Sequence, residues 1–262
     1  MNYKWRSFFI PGLLTFFFIV QPVLATETSG DEWEFEADLY VWMPDIDIDT
    51  EDGGQIVIDF DEILENLEGL LMGGLTARRG KWSYQLDLIY FKIEDDESAL
   101  ESIPFGLRDR HSLDAGLDAD VTIEAWIVTP TVGYNLVDTQ QGSLDVIGGV
   151  RYLNIEIPVD LETTIGPLSQ SDSISPRNEW WDAIVGVKGE VYLAPKWYAK
   201  YHLDAGGGDS DLTWQGYLGA AYRFEKVEMH GGYRYLDYEF KSDDELRNLT
   251  VKGPQIGLKW KF

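Results

Sequence analysis

The chain has 262 residues, no cysteine and a formal charge of −25. The missing thiol excludes a disulfide framework, a lipid-anchored N-terminal cysteine and a thiol nucleophile, and the acidic balance argues against nucleic acid as a partner. Aromatic residues make up 14% of the chain and glycine fills 26 positions, while segments with helical period are scarce.

The first stretch, "MNYKWRSFFIPGLLTFFFIVQPVLA", has a basic start at Lys4 and Arg6 and an apolar run from Phe8 to Val20. Small residues follow, with Val23 and Ala25 at the −3 and −1 positions of a cut after Ala25. That three-part layout is a secretory signal peptide. A membrane helix fits less well, because the apolar run is short and Pro11–Gly12 interrupts it. No later stretch approaches a transmembrane helix, and no Pro-, Ser- or Gly-rich linker divides the rest. The expected organisation is a signal peptide over 1–25, a short extension over 26–32 and one domain over 33–262.

Ten segments then alternate between apolar and polar residues, the mark of strands with two different faces. They lie near Trp33–Met43, Leu70–Arg79, Lys81–Ile93, Asp120–Tyr134, Ser143–Val159, Trp180–Leu193, Lys196–Ala205, Leu212–Phe224, Lys226–Phe240 and Leu249–Phe262. The first sets Trp33, Phe35, Ala37, Leu39, Val41 and Met43 against Glu34, Glu36, Asp38, Tyr40 and Trp42. The fourth is the weakest, since Trp126 and Val128 fall on its polar side and Pro130 removes a ladder donor. Pro158 and Pro254 predict bulges or strand ends.

Long connections such as Pro44–Gly69, Glu94–Ala119 and Asp160–Glu179 alternate with tight ones at Gly80, Ala194–Pro195 and Glu225. Transmembrane β-barrels are built this way, with short periplasmic turns and longer outer loops. The expected fold is all-β, a closed antiparallel up-and-down barrel of about ten strands, with "DIDIDT" and "QIVIDF" in the first loop able to add a hairpin and raise the count to twelve. A soluble barrel would show the same alternation with its apolar face inside. Segment length favours lipid outside, as do aromatics crowding the segment ends. Trp33, Phe35, Trp82, Tyr84, Trp197, Phe224, Trp260 and Phe262 would form the inner girdle, and Tyr90, Tyr152, Trp181, Trp214 and Tyr235 the outer one.

The chain stops on "QIGLKWKF", an alternating strand whose last residue is an aromatic, after the penultimate strand "GYRYLDYEF". A last strand that pairs with the first leaves no open edge. In these features the chain resembles bacterial, Gram-negative outer-membrane β-barrel proteins. The resemblance implies export through the periplasm and residence in outer-membrane lipid and lipopolysaccharide. It also implies recognition of a C-terminal signal, Trp260 and Phe262 here, by the barrel-assembly machinery. It brings no catalytic residues, and a monomer is the expected state.

The polar face of the strands collects Glu34, Glu36, Asp38, Asp87, Glu124, Asp145, Asp182, Glu190 and Asp204 against Arg151, Lys188, Lys200, Arg223, Arg234, Lys259 and Lys261, with His230 among them. A barrel of this size has a lumen little wider than its side chains. A near-balanced set there predicts an ion-pair network that fills it; a narrow, weakly selective channel lined by the same residues is the alternative. "PDIDIDTEDGG" offers carboxylates at Asp45, Asp47, Asp49 and Glu51 but lacks the Gly and Glu of a calcium loop, with Thr50 and Ile56 at those places. No cofactor is expected; divalent cations bridging outer-loop acids to lipopolysaccharide are the one metal role the composition suggests. "DFDEILENLEGL" is the single helix-like segment, with Asp61 as its cap and Ile63, Leu64 and Leu67 on one face, either a surface helix or a lid. His111 stands between Asp109 and Ser112 in "RDRHS", but adjacent loop residues make no triad by themselves, and no serine lies beside His202 and Asp204 or with His230, so an enzyme is not expected, and a lipid-modifying activity would rest on His111.

Overall fold

The computed structural model describes residues 32–50, 54–95, 117–156, 159–165, 168–174, 177–241 and 246–262. The expected signal peptide, all but the last residue of the expected extension, Pro158 and the "RDRHS" segment lie outside them. Among the described residues, fourteen strands form one antiparallel sheet. Ten of them make the barrel wall: β1 (Trp33–Trp42), β4 (Leu67–Arg79), β5 (Trp82–Asp95), β6 (Leu117–Asp138), β7 (Gly142–Glu156), β10 (Arg177–Ala194), β11 (Trp197–Gly208), β12 (Leu212–Arg223), β13 (Val227–Glu239) and β14 (Leu246–Lys261). The wall closes where β1 pairs with β14, from Glu36 opposite Lys261 to Trp42 opposite Gln255. Phe262 adds one more bond, its N–H donating to the Phe35 carbonyl at 3.0 Å.

The two extra hairpins do not widen the barrel. β2 (Asp45–Thr50) and β3 (Gln55–Ile58) extend the sheet beside the upper part of β14. Pro254 stands where β14 changes neighbour from β1 to β2, so its missing N–H interrupts neither ladder. A second hairpin, β8 (Val159–Ile165) and β9 (Leu168–Ile174), continues from the outer end of β6 within a span that the sequence presents as a loop. Pro130 acts as expected of a proline in a central strand, because the β6–β7 ladder passes from Val128–Tyr152 to Thr131–Gly149 without pairing it. At the tight β4–β5 turn Gly80 takes a φ of 56°, a left-handed position that suits glycine.

The helix is shorter than its apolar stripe predicts. α1 covers Phe60–Glu65, and Leu67 already belongs to β4. Asp59, not Asp61, holds the N-cap position and makes no side-chain cap bond; the first-turn N–H of Phe60 is accepted instead by Asp45 Oδ1 at 3.2 Å. Ile63 turns into the barrel, 6% exposed, while Leu64 stays 56% exposed.

Alternation assigns the faces. Leu39, Leu75, Val185, Leu203, Leu218 and Ile256 point away from the barrel axis and are exposed, which forms an apolar belt around the whole wall. A soluble protein would not tolerate so continuous a patch; lipid accepts it. Cross-strand ring pairs mark both edges of the belt. Tyr90–Trp126, Tyr152–Trp181 and Trp214–Tyr235 lie at the loop end, and Trp33–Tyr84, Trp82–Tyr134 and Trp197–Tyr222 at the short-turn end.

Candidate functional site

The inward faces of the strands build two different interiors. The half next to the short turns is a polar cavity of about 490 Å³, bounded at its mouth by Glu34, Gly80, Lys81, Asp138, Tyr192 and Lys261. Short turns face the periplasm in barrels of this architecture, so this vestibule opens there. The half next to the long loops is a packed apolar core. Trp42, Ile89, Leu153, Leu236 and Tyr238 are each at most 2% exposed within it, and Ile63 from α1 and Phe240 and Val251 from the outer strand ends complete it.

Paired charges line the vestibule. Glu36 receives both terminal lysines, Lys261 at 2.8 Å and Lys259 at 3.2 Å. Lys200 meets Glu228 at 2.8 Å, and Arg223 reaches Glu190 at 3.3 Å while lying over the Tyr198 ring. Asp145 accepts from Arg78 at 3.2 Å and from Asn135 at 2.7 Å. Lys188 donates to Gln85 Oε1 at 2.5 Å. Deeper in, His230 Nε2 lies 2.9 Å from Asp38 Oδ1, with the Tyr217 hydroxyl 3.4 Å from its Nδ1. Gly257 makes room for that imidazole: a Cβ there would sit 2.6 Å from His230 Nε2.

The boundary between the two interiors is built around Arg234. Its guanidinium donates to Asp87 at 2.8 Å, to the Tyr40 hydroxyl at 3.1 Å and to Gln215 at 2.6 Å, and its plane lies 4.9 Å from the Trp42 ring. Tyr40 in turn donates to Asp87 at 2.7 Å. Across the barrel, Arg151 is fully buried and donates to Asp204 at 2.6 Å and to Thr213 at 3.0 Å. His202 bonds the other oxygen of Asp204 at 2.5 Å, and Asp182 accepts the Ser210 N–H at 3.0 Å. In a low-dielectric interior a charge without such partners would carry a penalty of several kcal/mol, so each buried ion fixes the position of its neighbours.

Glu124 is a correction. It does not face the lumen: it shares the outer face of β6 with Trp126, whose indole N–H donates to it at 3.1 Å, and Trp126 stacks on Tyr90 of the outer girdle. On β6 the inward positions beside it are Ala125, Ile127, Thr129 and Thr131, all buried, so the side that carries Glu124 is the side that meets lipid. The other predicted lumen residues point inward, but they fall into separate groups. Arg151, Asp182 and Asp204 lie outside the vestibule, in the closed layer. Trp260 stands on the outer face opposite Ala37, and Phe262 is 77% exposed at the inner rim.

Sequence reasoning missed Glu228 and Arg78, although each shares the strand parity of its inward neighbours. It also missed the apolar outer half. The signal for that was present in Ile89, Phe91 and Ile93 and in Leu236, Tyr238 and Phe240, which occupy lumen parity near the loop ends of their strands. The acids of "DIDIDT" gather no metal cluster among the described residues. Asp47 pairs with Lys252, and Asp49 accepts from Asn248 at 3.4 Å.

No protein family matches the chain, and no curated protein matches it. Among solved structures, the outer-membrane protease OmpT from Escherichia coli is similar over 92% of this chain and 99% of that one, at 8% identity and a TM-score of 0.48. The translocator domain of the autotransporter NalP from Neisseria meningitidis is similar over 90% of each chain, at 13% identity and a TM-score of 0.44. The attachment invasion locus protein Ail of Yersinia pestis covers 88% of this chain and 99% of its own, at 11% identity and a TM-score of 0.35. These likenesses say nothing of activity. The closed ten-stranded wall, the lipid-facing apolar belt between two aromatic girdles and the polar lumen are together the construction of an outer-membrane β-barrel.

Proposed function

We propose that the protein is a non-conducting, non-catalytic barrel of the outer membrane, with a structural or interaction role in the cell envelope, exported by a cleaved signal peptide. The observation that carries this reading is the apolar layer above the vestibule, where Trp42, Ile89, Leu153, Leu236 and Tyr238 leave at most 2% of their surfaces accessible. A hydrated ion entering from the periplasm meets paired charges, then a packed apolar layer beside which Arg151, Asp182 and Asp204 are themselves at most 1% exposed. Stripping its water there costs several kcal/mol. The alternative, a narrow and weakly selective channel, draws on the vestibule but requires this layer to open. The third reading, a lipid-modifying enzyme, rests on His111, outside the described residues. Acidic outer loops fit contact with the envelope surface, with divalent cations as bridges to lipopolysaccharide phosphates.

Single-channel recording of the refolded protein in planar lipid bilayers tests the reading, with wild type beside a deletion of residues 59–69. The expected trace is silent for wild type. Discrete steps in wild type would overturn the sealed-lumen reading in favour of the channel. Steps confined to the deletion would make α1 and its flanks a lid over a latent pore.

A further inference from the structure

The barrel wall has a seam. β1 and β4 pair from Trp33–Arg79 up to Leu39–Gly73, and no further among the described residues. Yet β1 runs on to Trp42 against β14, and β4 runs up to Leu67 against β5. Above the last pair the two strands part. One backbone donor marks the divergence, because the Trp42 N–H donates to the Met72 sulfur at 3.2 Å rather than to a β4 carbonyl. The gap is roofed by α1 and leaves an apolar notch of about 60 Å³, lined by Val41, Phe60, Leu64, Leu70, Met72 and Phe91 among others, with no charged residue.

The notch opens to the bilayer. Val41 and Leu71, which flank the seam on the outer face, are 42% and 48% exposed and continue the lipid belt. Leu70 is opposite the half-buried Phe91, yet it is 40% exposed, because no neighbouring strand covers it. A dry apolar cavity does not hold water and takes apolar occupants, and the notch lies level with Tyr90 of the outer girdle, opposite Leu71, where the upper part of a lipid acyl chain borders the wall. The notch holds part of one chain, not a whole lipid. We propose that the β1–β4 seam is a lateral site for an acyl chain of a bilayer lipid, which lodges under α1 against Leu70 and Met72. This goes beyond the sealed-lumen reading and rests on it in part, because Trp42, Ile63 and Met72 line the notch from the same apolar layer that closes the lumen; lipid labelling and channel recording test the two separately.

The test uses the full mature chain refolded into phosphatidylcholine vesicles that contain a phosphatidylcholine with a diazirine on one acyl chain. After irradiation, labelled peptides are mapped by mass spectrometry. Labelling of the Phe60–Met72 segment is expected to exceed, several-fold, that of the belt segments carrying Leu203 and Leu218. Leu70→Trp, which fills the notch, is expected to bring it down to the belt level. Leu75→Trp, on the paired part of the same strand, is expected to leave it unchanged. The heat-dependent electrophoretic shift of folded barrels checks both variants, and Val41→Trp replaces Leu70→Trp if the latter does not fold. Even labelling around the belt would overturn the site, as would excess labelling that notch filling fails to reduce. Labelling by a free diazirine fatty acid but not by the lipid would overturn the bilayer-lipid occupant.

Discussion

Arg234 stands where two interiors meet, with water and carboxylate on one side and the Trp42 ring on the other. Its side chain is 5% exposed and that of Asp87 17%, so the pair is largely withdrawn from solvent and each charge depends on the other. Replacing one partner leaves the second ion poorly compensated. Arg234→Met is therefore expected to lower the unfolding free energy by about 3 kcal/mol, the low end for a broken buried pair, since Asp87 still borders the vestibule. The double variant Arg234→Met with Asp87→Leu is expected to recover most of that loss, because no charge is then stranded. Urea unfolding of the refolded barrel reads both; a double variant no more stable than the single one would mean that packing on Trp42, not charge pairing, dominates. Lys261→Ala gives the contrast. Its side chain is 48% exposed and the loss is expected to stay within about 1 kcal/mol. The inward direction of these charges was legible from period-two alternation. Which ones meet was not, because partners such as Arg234 and Tyr40 are 194 positions apart, and only the register of closure brings them together.

The closing strand shows what one element contributes as address and as structure. β14 joins β1 to β13, and Phe262, which follows it, extends the ladder by a single bond to Phe35. Phe262 itself is 77% exposed, so its ring adds little to packing. If the ring is read by the assembly machinery, Phe262→Ala separates the two roles. The refolded variant is expected to match wild type in urea within about 1 kcal/mol, while the folded fraction recovered from cells falls severalfold. Equal losses in both measurements would assign the ring to stability alone. The strands were legible because each wall strand meets two unlike solvents, which writes the fold as alternation. β6 shows the limit: with Glu124 and Trp126 on one side and Thr129 and Thr131 on the other, polarity alone pointed the wrong way. α1 shows another. Leu67 fits a helical stripe, but pairing of β4 with β5 begins there, opposite Ile93, and the ladder takes the residue.

At the scale of the molecule, the proposed sealed lumen is a cup rather than a pipe. Its charges cluster near the periplasmic mouth, where water keeps their desolvation low, and its apolar residues cluster beneath the loops, where α1 and the outer strand ends cover them. That division helps a narrow barrel accommodate so many ions: among the described residues Arg151, Asp182 and Asp204 are at most 1% exposed, and two of those three pair directly, while Glu228, at 2%, pairs with Lys200. The chain has no cysteine, so a single introduced thiol reports its own surroundings. Thr131→Cys, on the vestibule wall, is expected to react with a membrane-impermeant maleimide once the reagent reaches the periplasm, and to stay unreactive in intact cells. Leu153→Cys, in the apolar layer at 1% exposure, is expected to resist labelling from either side until the protein is unfolded. Rapid labelling of Thr131→Cys in intact cells would show that small solutes pass the apolar layer, and the cup would have to be redrawn as a channel. Labelling of Leu153→Cys from the periplasm alone would instead mean that the vestibule breathes upward into the core, with Trp42 and Arg234 as the moving boundary.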